Sequence, residues 1–195
     1  MLILLRHGRT PTNEQLRLQG KHDAPLDEVG RAQAAHAGDY IRSRWEIDEV
    51  VTSPLARTRE TADCAGFGVA AVVDDRWREI DFGDYDRRRI SEVVRELAAA
   101  WTADIHFEPT DGESMAVLHD RVVSACLELE DRAQDRNVLV VSHATPIKSA
   151  AVWAMGGPAS QILSLSLNVG TVSVIGHYHG ALVLKEFNSW IPRPG

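Results

Sequence analysis

Short apolar runs punctuate this chain and longer amphipathic stretches separate them. Leu2-Ile3-Leu4-Leu5, Val50-Val51, Val69-Ala70-Ala71-Val72-Val73 and Val138-Leu139-Val140-Val141 are continuous, of strand length, and stop at polar or turn-forming residues. They read as buried strands. Helical spacing fills the intervals. A helix is predicted from Asp27, as N-cap, to about Arg44, with Val29, Ala37, Tyr40 and Ile41 on one side. Ser53-Pro54 reads as the start of a second helix, serine as N-cap and proline at the first helical position. Ile90, Val93, Val94, Leu97, Ala98 and Trp101 form an amphipathic face expected to lie over a pocket's edge. Ser114 caps a long helix that turns Met115, Leu118, Val122, Cys126 and Leu129 inward, and Ala144-Thr145-Pro146 begins another.

Residues 11–27 and 102–112 read as loops, and 171–176 with 181–187 as a strand pair joined near Gly180. The tail, 190–195, with two prolines, is expected to be loosely held. Alternating strand and helix signals predict an α/β fold with a mostly parallel central sheet.

At 195 residues the chain suits one domain, 1–195, able to bury roughly 70% of its unfolded surface. The net charge of −7 argues against nucleic acid or an anionic membrane as a general partner, since either calls for a basic face. No apolar stretch is long enough to span a bilayer. Met1 leads directly into the first strand without room for a signal peptide, so a cytoplasmic location is expected. Cys64 and Cys126 fall on predicted apolar helix faces with no close-spaced partner, which reads as reduced, buried thiols. The eight histidines show no metal-ligand spacing, so neither a metal nor a cofactor is expected. His36 reads as an ordinary surface or packed residue.

The chemistry gathers where apolar runs end. Arg6-His7-Gly8-Arg9-Thr10 follows the first strand, at the carboxyl end where open α/β sheets bind ligands. Ser142-His143 closes a later strand in the same way. Arg57 lies near the start of the Ser53-Pro54 helix, adding a forked cation to an end already disposed to bind anions, whereas Arg59 points about 200° away around the helix.

These motifs resemble those of the histidine phosphatase superfamily, in its phosphoglycerate mutase-like branch. Leu4-Leu5-Arg6-His7-Gly8-Arg9-Thr10 with Asn13 matches the Arg-His-Gly signature, the segment from Ser53 to Ala62 a second one, Gly112-Glu113-Ser114 a third, and Ser142-His143 the closing one. The resemblance implies a three-layer α/β/α sandwich with a short cap segment at about 80–113. It also implies that His7 accepts a phosphoryl group, that Arg6, Arg57 and His143 bind it, and that Glu79 is the proton donor. Asn13, Gln19, Gly20 and Ala144 are implied to contact the substrate.

Two departures stand out. After Tyr85 the family's usual Glu-Gly is replaced by Asp86-Arg87, followed by Arg88 and Arg89, and Ala144-Thr145 stands where Gly-Gly commonly follows the histidine. Arg87, with its two neighbours, is expected at the pocket's edge and has two readings, a solvated basic turn or a contact for substrates that carry a second anionic group.

A phosphate monoester repels nucleophiles until its oxygens are neutralised, a task suited to guanidinium forks and imidazoles. The expected activity is therefore metal-independent hydrolysis of a small phosphomonoester, with oligomeric state open and a homodimer among the options. A mutase would use the same phosphohistidine, but mutases of the family generally carry longer chains and larger insertions. A non-catalytic binding module would not need all five catalytic positions filled. A serine hydrolase built on Ser142 and His143 lacks the Gly-x-Ser-x-Gly elbow, and adjacent strand residues point to opposite faces.

Overall fold

A computed structural model describes residues 1–189, and the proline-bearing tail at 190–195 lies outside the described residues. The central sheet has six strands: β1 (Leu2–Arg6), β2 (Glu49–Thr52), β3 (Ala71–Val73), β4 (Val138–Ser142), β5 (Val172–Tyr178) and β6 (Ala181–Ser189). Their order is β3-β2-β4-β1-β5-β6. The first four run parallel, and β5 and β6 extend the sheet antiparallel as the expected hairpin, turning at His179-Gly180.

Alternation along each strand builds two cores. Leu2, Leu4, Val138 and Val140 face one layer, where α4 (Ile90–Ala103), α5 (Met115–Ala133) and α6 (Ala144–Ala154) supply Leu97, Trp101, Leu118, Val122, Cys126 and Ile147. Ile3, Leu5, Leu139 and Val141 face the other, covered by α2 (Glu28–Arg44) and α3 (Ala56–Cys64) through Ala37, Ile41 and Ala62. This is the three-layer α/β/α arrangement. Asp27 and Ser114 cap α2 and α5 as expected, accepting from the amides of Gly30 and Val117.

Several details differ from the sequence reading. The run 69–73 is not a buried strand: Gly68–Ala70 is a 3-10 turn, and the edge strand β3 leaves Val72 and Val73 exposed. An edge strand has only one neighbour, so its outer surface is wet. Val29 is also exposed, because α2 buries Gly30, Ala34, Ala37, Gly38 and Ile41 instead. The loop 11–27 contains a one-turn helix, α1 (Pro11–Glu14), with Thr10 and Asn13 forming a reciprocal cap. Cys126 is buried, whereas Cys64, at the last turn of α3, is only half-buried, and both thiols are free.

Gly8 shows why the turn after β1 carries glycine. A Cβ there would stand 2.2 Å from the Gly30 carbonyl oxygen, so the turn is pressed directly onto the first turn of α2.

Candidate active site

The in-register parallel pairing of β1 with β4 sets Arg6 opposite Ser142. The residues that follow, His7 and His143, therefore emerge side by side, with ring centroids 5.2 Å apart and planes at 63°. Thr52 of β2 pairs with Val141, which brings Ser53 to the same edge.

Nδ1 of His7 lies 2.8 Å from the Gly8 carbonyl oxygen. A carbonyl only accepts, so Nδ1 carries the hydrogen and Nε2 keeps its lone pair. Burial, then Arg57 and Arg6, hold the His7 imidazole well below its usual pKa, so the ring is neutral. Burial and the same arginines do the same to His143.

Arg6 is largely buried, donates through Nη1 to the Leu167 carbonyl, and leaves Nε without an acceptor. Burial brings its pKa down to about 10, with Glu79 opposing the shift. Gln19 uses Oε1 to accept from Thr10 Oγ1 at 2.7 Å, and its buried Nε2 has no partner. Asn13 accepts from the Thr10 amide through Oδ1 at 3.1 Å, leaving its NH2 to donate. Buried donors without acceptors cost free energy, and an arriving anion would satisfy them.

Arg57 is buried but already engaged. Nε donates to His143 Nδ1 at 3.1 Å, Nη1 to His22 O at 3.1 Å and Asp23 Oδ1 at 3.3 Å, and Nη2 to Gly20 O at 3.0 Å and Gln19 O at 3.4 Å. Asp23 also accepts from the amides of Ala56 and Arg57 at the start of α3. A carboxylate of the chain thus occupies the helix end where an anion was anticipated.

Ser53 does not cap α3. The helix begins two residues beyond Pro54, with Leu55 at the cap position, because Ser53 Oγ instead lies 2.8 Å from His143 Nε2. Sequence reasoning missed this partner. Its signal was the placement of a hydroxyl directly after a strand that ends beside β4.

The Glu79 carboxylate accepts from the Thr145 amide, at 3.2 and 3.4 Å for its two oxygens, on the first turn of α6. Ala144 opens that helix, whose first amides lack partners within it. Arg121 of α5 holds the backbone leading to Glu79, donating to the carbonyls of Arg76, Arg78 and Glu79 while forming a two-pronged pair with Glu113 at 2.7 and 2.8 Å. Glu113 belongs to the Gly112-Glu113-Ser114 motif, whereas nothing in the sequence pointed to Arg121 as the residue that holds this backbone. Glu79 lines an open cleft of about 280 Å³ with Gly20, Lys21, Leu55, Arg78 and Asp81 among its other walls.

Arg87 does not line this cleft. It is exposed, and its amide donates to Leu18 O while its carbonyl accepts from Arg17, so the 87–89 run is tied to residues 16–18 instead. The departure at Asp86-Arg87 acquires a structure: Asp86 accepts from the amides of Gly20 and His22, and Arg87 sits at φ +68°. That is the left-handed region glycine prefers.

Among the described residues, no group of three or more His, Cys, Asp or Glu side chains is placed to hold a metal ion, and no helix is long and apolar enough to cross a membrane.

Comparison with known proteins agrees with this geometry. The family model for the histidine phosphatase superfamily (branch 1) matches residues 2–189. The chain is 35% identical over 182 residues to the bifunctional protein Rv2228c of Mycobacterium tuberculosis, covering 91% of this chain and 50% of that protein. The chain therefore spans about half the length of this relative. It is 33% identical over 186 residues to a Salmonella choleraesuis protein described as a probable phosphoglycerate mutase, GpmB, covering 90% and 84%. The solved structure of mycobacterial glucosyl-3-phosphoglycerate phosphatase Rv2419c superposes with a TM-score of 0.82 at 28% identity, over 97% of this chain and 98% of that one. The chain belongs to branch 1 of the histidine phosphatase superfamily.

Proposed function

We propose that this protein hydrolyses small phosphomonoesters through a phosphohistidine on His7, without a metal ion. The observation that carries the reading is the neutral His7 ring with Nε2 free, standing among buried donors that lack acceptors.

Arg6 Nε and the amide groups of Gln19 and Asn13 take the phosphoryl oxygens, and the charges of Arg6 and Arg57 offset the growing negative charge. For Arg57 to contact the phosphate directly, an oxygen of the substrate displaces one of the carbonyls of the 19–23 segment; the 3.4 Å contact to Gln19 O is the weakest held. His7 Nε2 attacks phosphorus and forms the N–P bond as the ester O–P bond breaks. Glu79 gives its proton to the leaving alkoxide. Water then attacks the phosphohistidine, Glu79 takes the water proton, and inorganic phosphate leaves with His7 restored.

A phosphoglycerate mutase-type transfer uses the same first half-reaction, and the GpmB resemblance keeps it as the second reading. The two part at the phosphoenzyme, which water opens in one and the product alcohol opens in the other.

The test is a quench without acid after mixing EDTA-treated enzyme with labelled p-nitrophenyl phosphate. The expected result is an acid-labile, base-stable phosphoenzyme in the wild type, absent in His7→Ala, with steady release of phosphate. Activity that only added magnesium or zinc restores, or label that survives in His7→Ala and is lost in His143→Ala, overturns the assignment. Isomerisation of 3-phosphoglycerate outpacing phosphate release would favour the mutase.

A further inference from the structure

The backbone of the 19–23 segment is polarised across its width. A trans peptide points its carbonyl and its N–H to opposite sides, and the unit joining Gln19 to Gly20 uses both. Its carbonyl accepts from Arg57 Nη2 at 3.4 Å, and its N–H donates to Asp86 Oδ1 at 2.8 Å. The pattern continues along the segment. The carbonyls of Gly20 and His22 accept from Nη2 and Nη1 of Arg57 at 3.0 and 3.1 Å, while the His22 N–H donates to the other Asp86 oxygen at 2.9 Å. The segment therefore lies as one layer of peptide dipoles between a carboxylate and a guanidinium, an order in which each hydrogen bond strengthens the next.

Asp86 is half-buried and does not line the cleft. Its carboxylate is spent on backbone amides, those of Gly20 and His22 and, at 3.1 Å through Oδ1, that of Arg87. What lies on the far side of those peptides is Arg57. Burial lowers the pKa of that guanidinium, and Glu79, Asp23 and Asp86 oppose the shift. Arg57 Nε in turn donates to His143 Nδ1 at 3.1 Å, so the orientation of the guanidinium reaches the second histidine. The segment's other ties are of a different kind: Lys21 pairs with Asp81 through its side chain, and Asp23 meets Arg57 directly.

We infer that Asp86 is a positioning residue of the phosphoryl site, acting through the 19–23 backbone to fix Arg57 and, through Arg57, His143. The inference rests on the phosphatase reading above and deepens it. One of the chain's departures from its family's pattern thus falls on a residue that reaches the site without touching a substrate.

The experiment is a double-mutant cycle on kcat/KM for p-nitrophenyl phosphate, read beside the imidazole nitrogen NMR spectrum. Asp86→Asn keeps one acceptor oxygen where two served, and is expected to cost about ten-fold, the worth of one hydrogen bond to a charged group. Asp86→Glu keeps the carboxylate and is expected to stay within about three-fold of the wild type. In an Arg57→Lys background, Asp86→Asn is expected to cost less than about two-fold, because the group it acts through is gone. A merely structural role gives the same factor in both backgrounds. The His143 nitrogens are expected to report a tautomer mixture in Asp86→Asn, while those of His7, whose Nδ1 is tied to the Gly8 carbonyl, stay as they are in the wild type. Equal losses in both backgrounds, no loss in either, or a His143 spectrum unmoved by Asp86→Asn overturns the inference and leaves the phosphatase reading intact. A wild type that does not hydrolyse p-nitrophenyl phosphate overturns that reading instead, and the His143 spectrum then decides alone whether Asp86 sets Arg57.

Discussion

Arg57 Nε donates to His143 Nδ1 at 3.1 Å, and this single bond fixes which nitrogen of the second histidine carries hydrogen. A guanidinium can only donate, so Nδ1 is the acceptor and Nε2–H points to Ser53 Oγ, 2.8 Å away. Arg57→Lys keeps a charge but loses the fork that serves His143 and the 19–23 segment together. It is expected to lower kcat/KM by about 10²–10³-fold, the range for losing an electrostatic donor in a closed site. Imidazole nitrogen NMR should show one His143 tautomer in the wild type and a mixture in the variant. An unchanged tautomer with full activity would mean that Arg57 acts only through its charge.

Glu79 should matter in proportion to how badly the leaving group needs a proton. General acids contribute about 10²–10⁴-fold for basic leaving groups and far less for those that leave as stable anions. Glu79→Gln is therefore expected to cripple phosphoenzyme formation from an alkyl phosphate and largely spare it from p-nitrophenyl phosphate, measured as pre-steady-state bursts. Asp81→Asn breaks an ion pair with Lys21 and should show no such split. If the leaving-group dependence appears in Asp81→Asn instead, the proton donor is Asp81.

The buried histidines set an acid limit on stability. Burial and the arginines lower the pKa of His7 and His143, and burial that of His119, so the folded state holds fewer protons than the unfolded chain once pH falls below about 6.5. Stability is thus retained above that value and lost below it, by up to about 1.4 kcal/mol per pH unit for each fully neutral ring. Urea unfolding at pH 7.5, 6 and 5 should show the decline, and His7→Asn should flatten it. The window is specific, because the carboxylates with lowered pKa, Asp74 and Glu186, add their loss only at lower pH.

Arg87 holds a left-handed backbone at φ +68° where the family commonly has glycine. Such a conformation costs a non-glycine residue about 1–2 kcal/mol, part of which glycine returns through its freer unfolded chain. Arg87→Gly is expected to raise stability by about 0.5–1 kcal/mol, and Arg87→Val to lower it by a similar amount. The urea midpoint should shift with its slope unchanged. Equal midpoints for all three chains would show that the turn bears no strain.

Much of this was legible in the sequence. Continuous apolar runs marked β1 and β4, and the histidines that follow those strands do stand side by side. Asp27 and Ser114 were readable as caps because their roles are local. What stayed hidden depended on juxtaposition: Ser53 looked like a helix cap until β2 was placed beside β4, and Arg57 looked like a free fork until the 19–23 segment was folded over it. The run 69–73 misled because apolar content does not reveal whether a strand lies at the centre of a sheet or at its rim.

The pairing of Arg6 with Ser142 has a further consequence for how the enzyme ages and evolves. Both histidines are anchored to the two most central strands, so their relative position can be lost only when the sheet itself comes apart. Amide exchange at His7, whose N–H donates to the Ser142 carbonyl, should proceed only through global opening, whereas the cleft walls at Gly20, Lys21 and Asp81 rest on turns that can open alone. The cleft can therefore drift, residue by residue, around a histidine pair whose place is guaranteed by the cooperativity of folding.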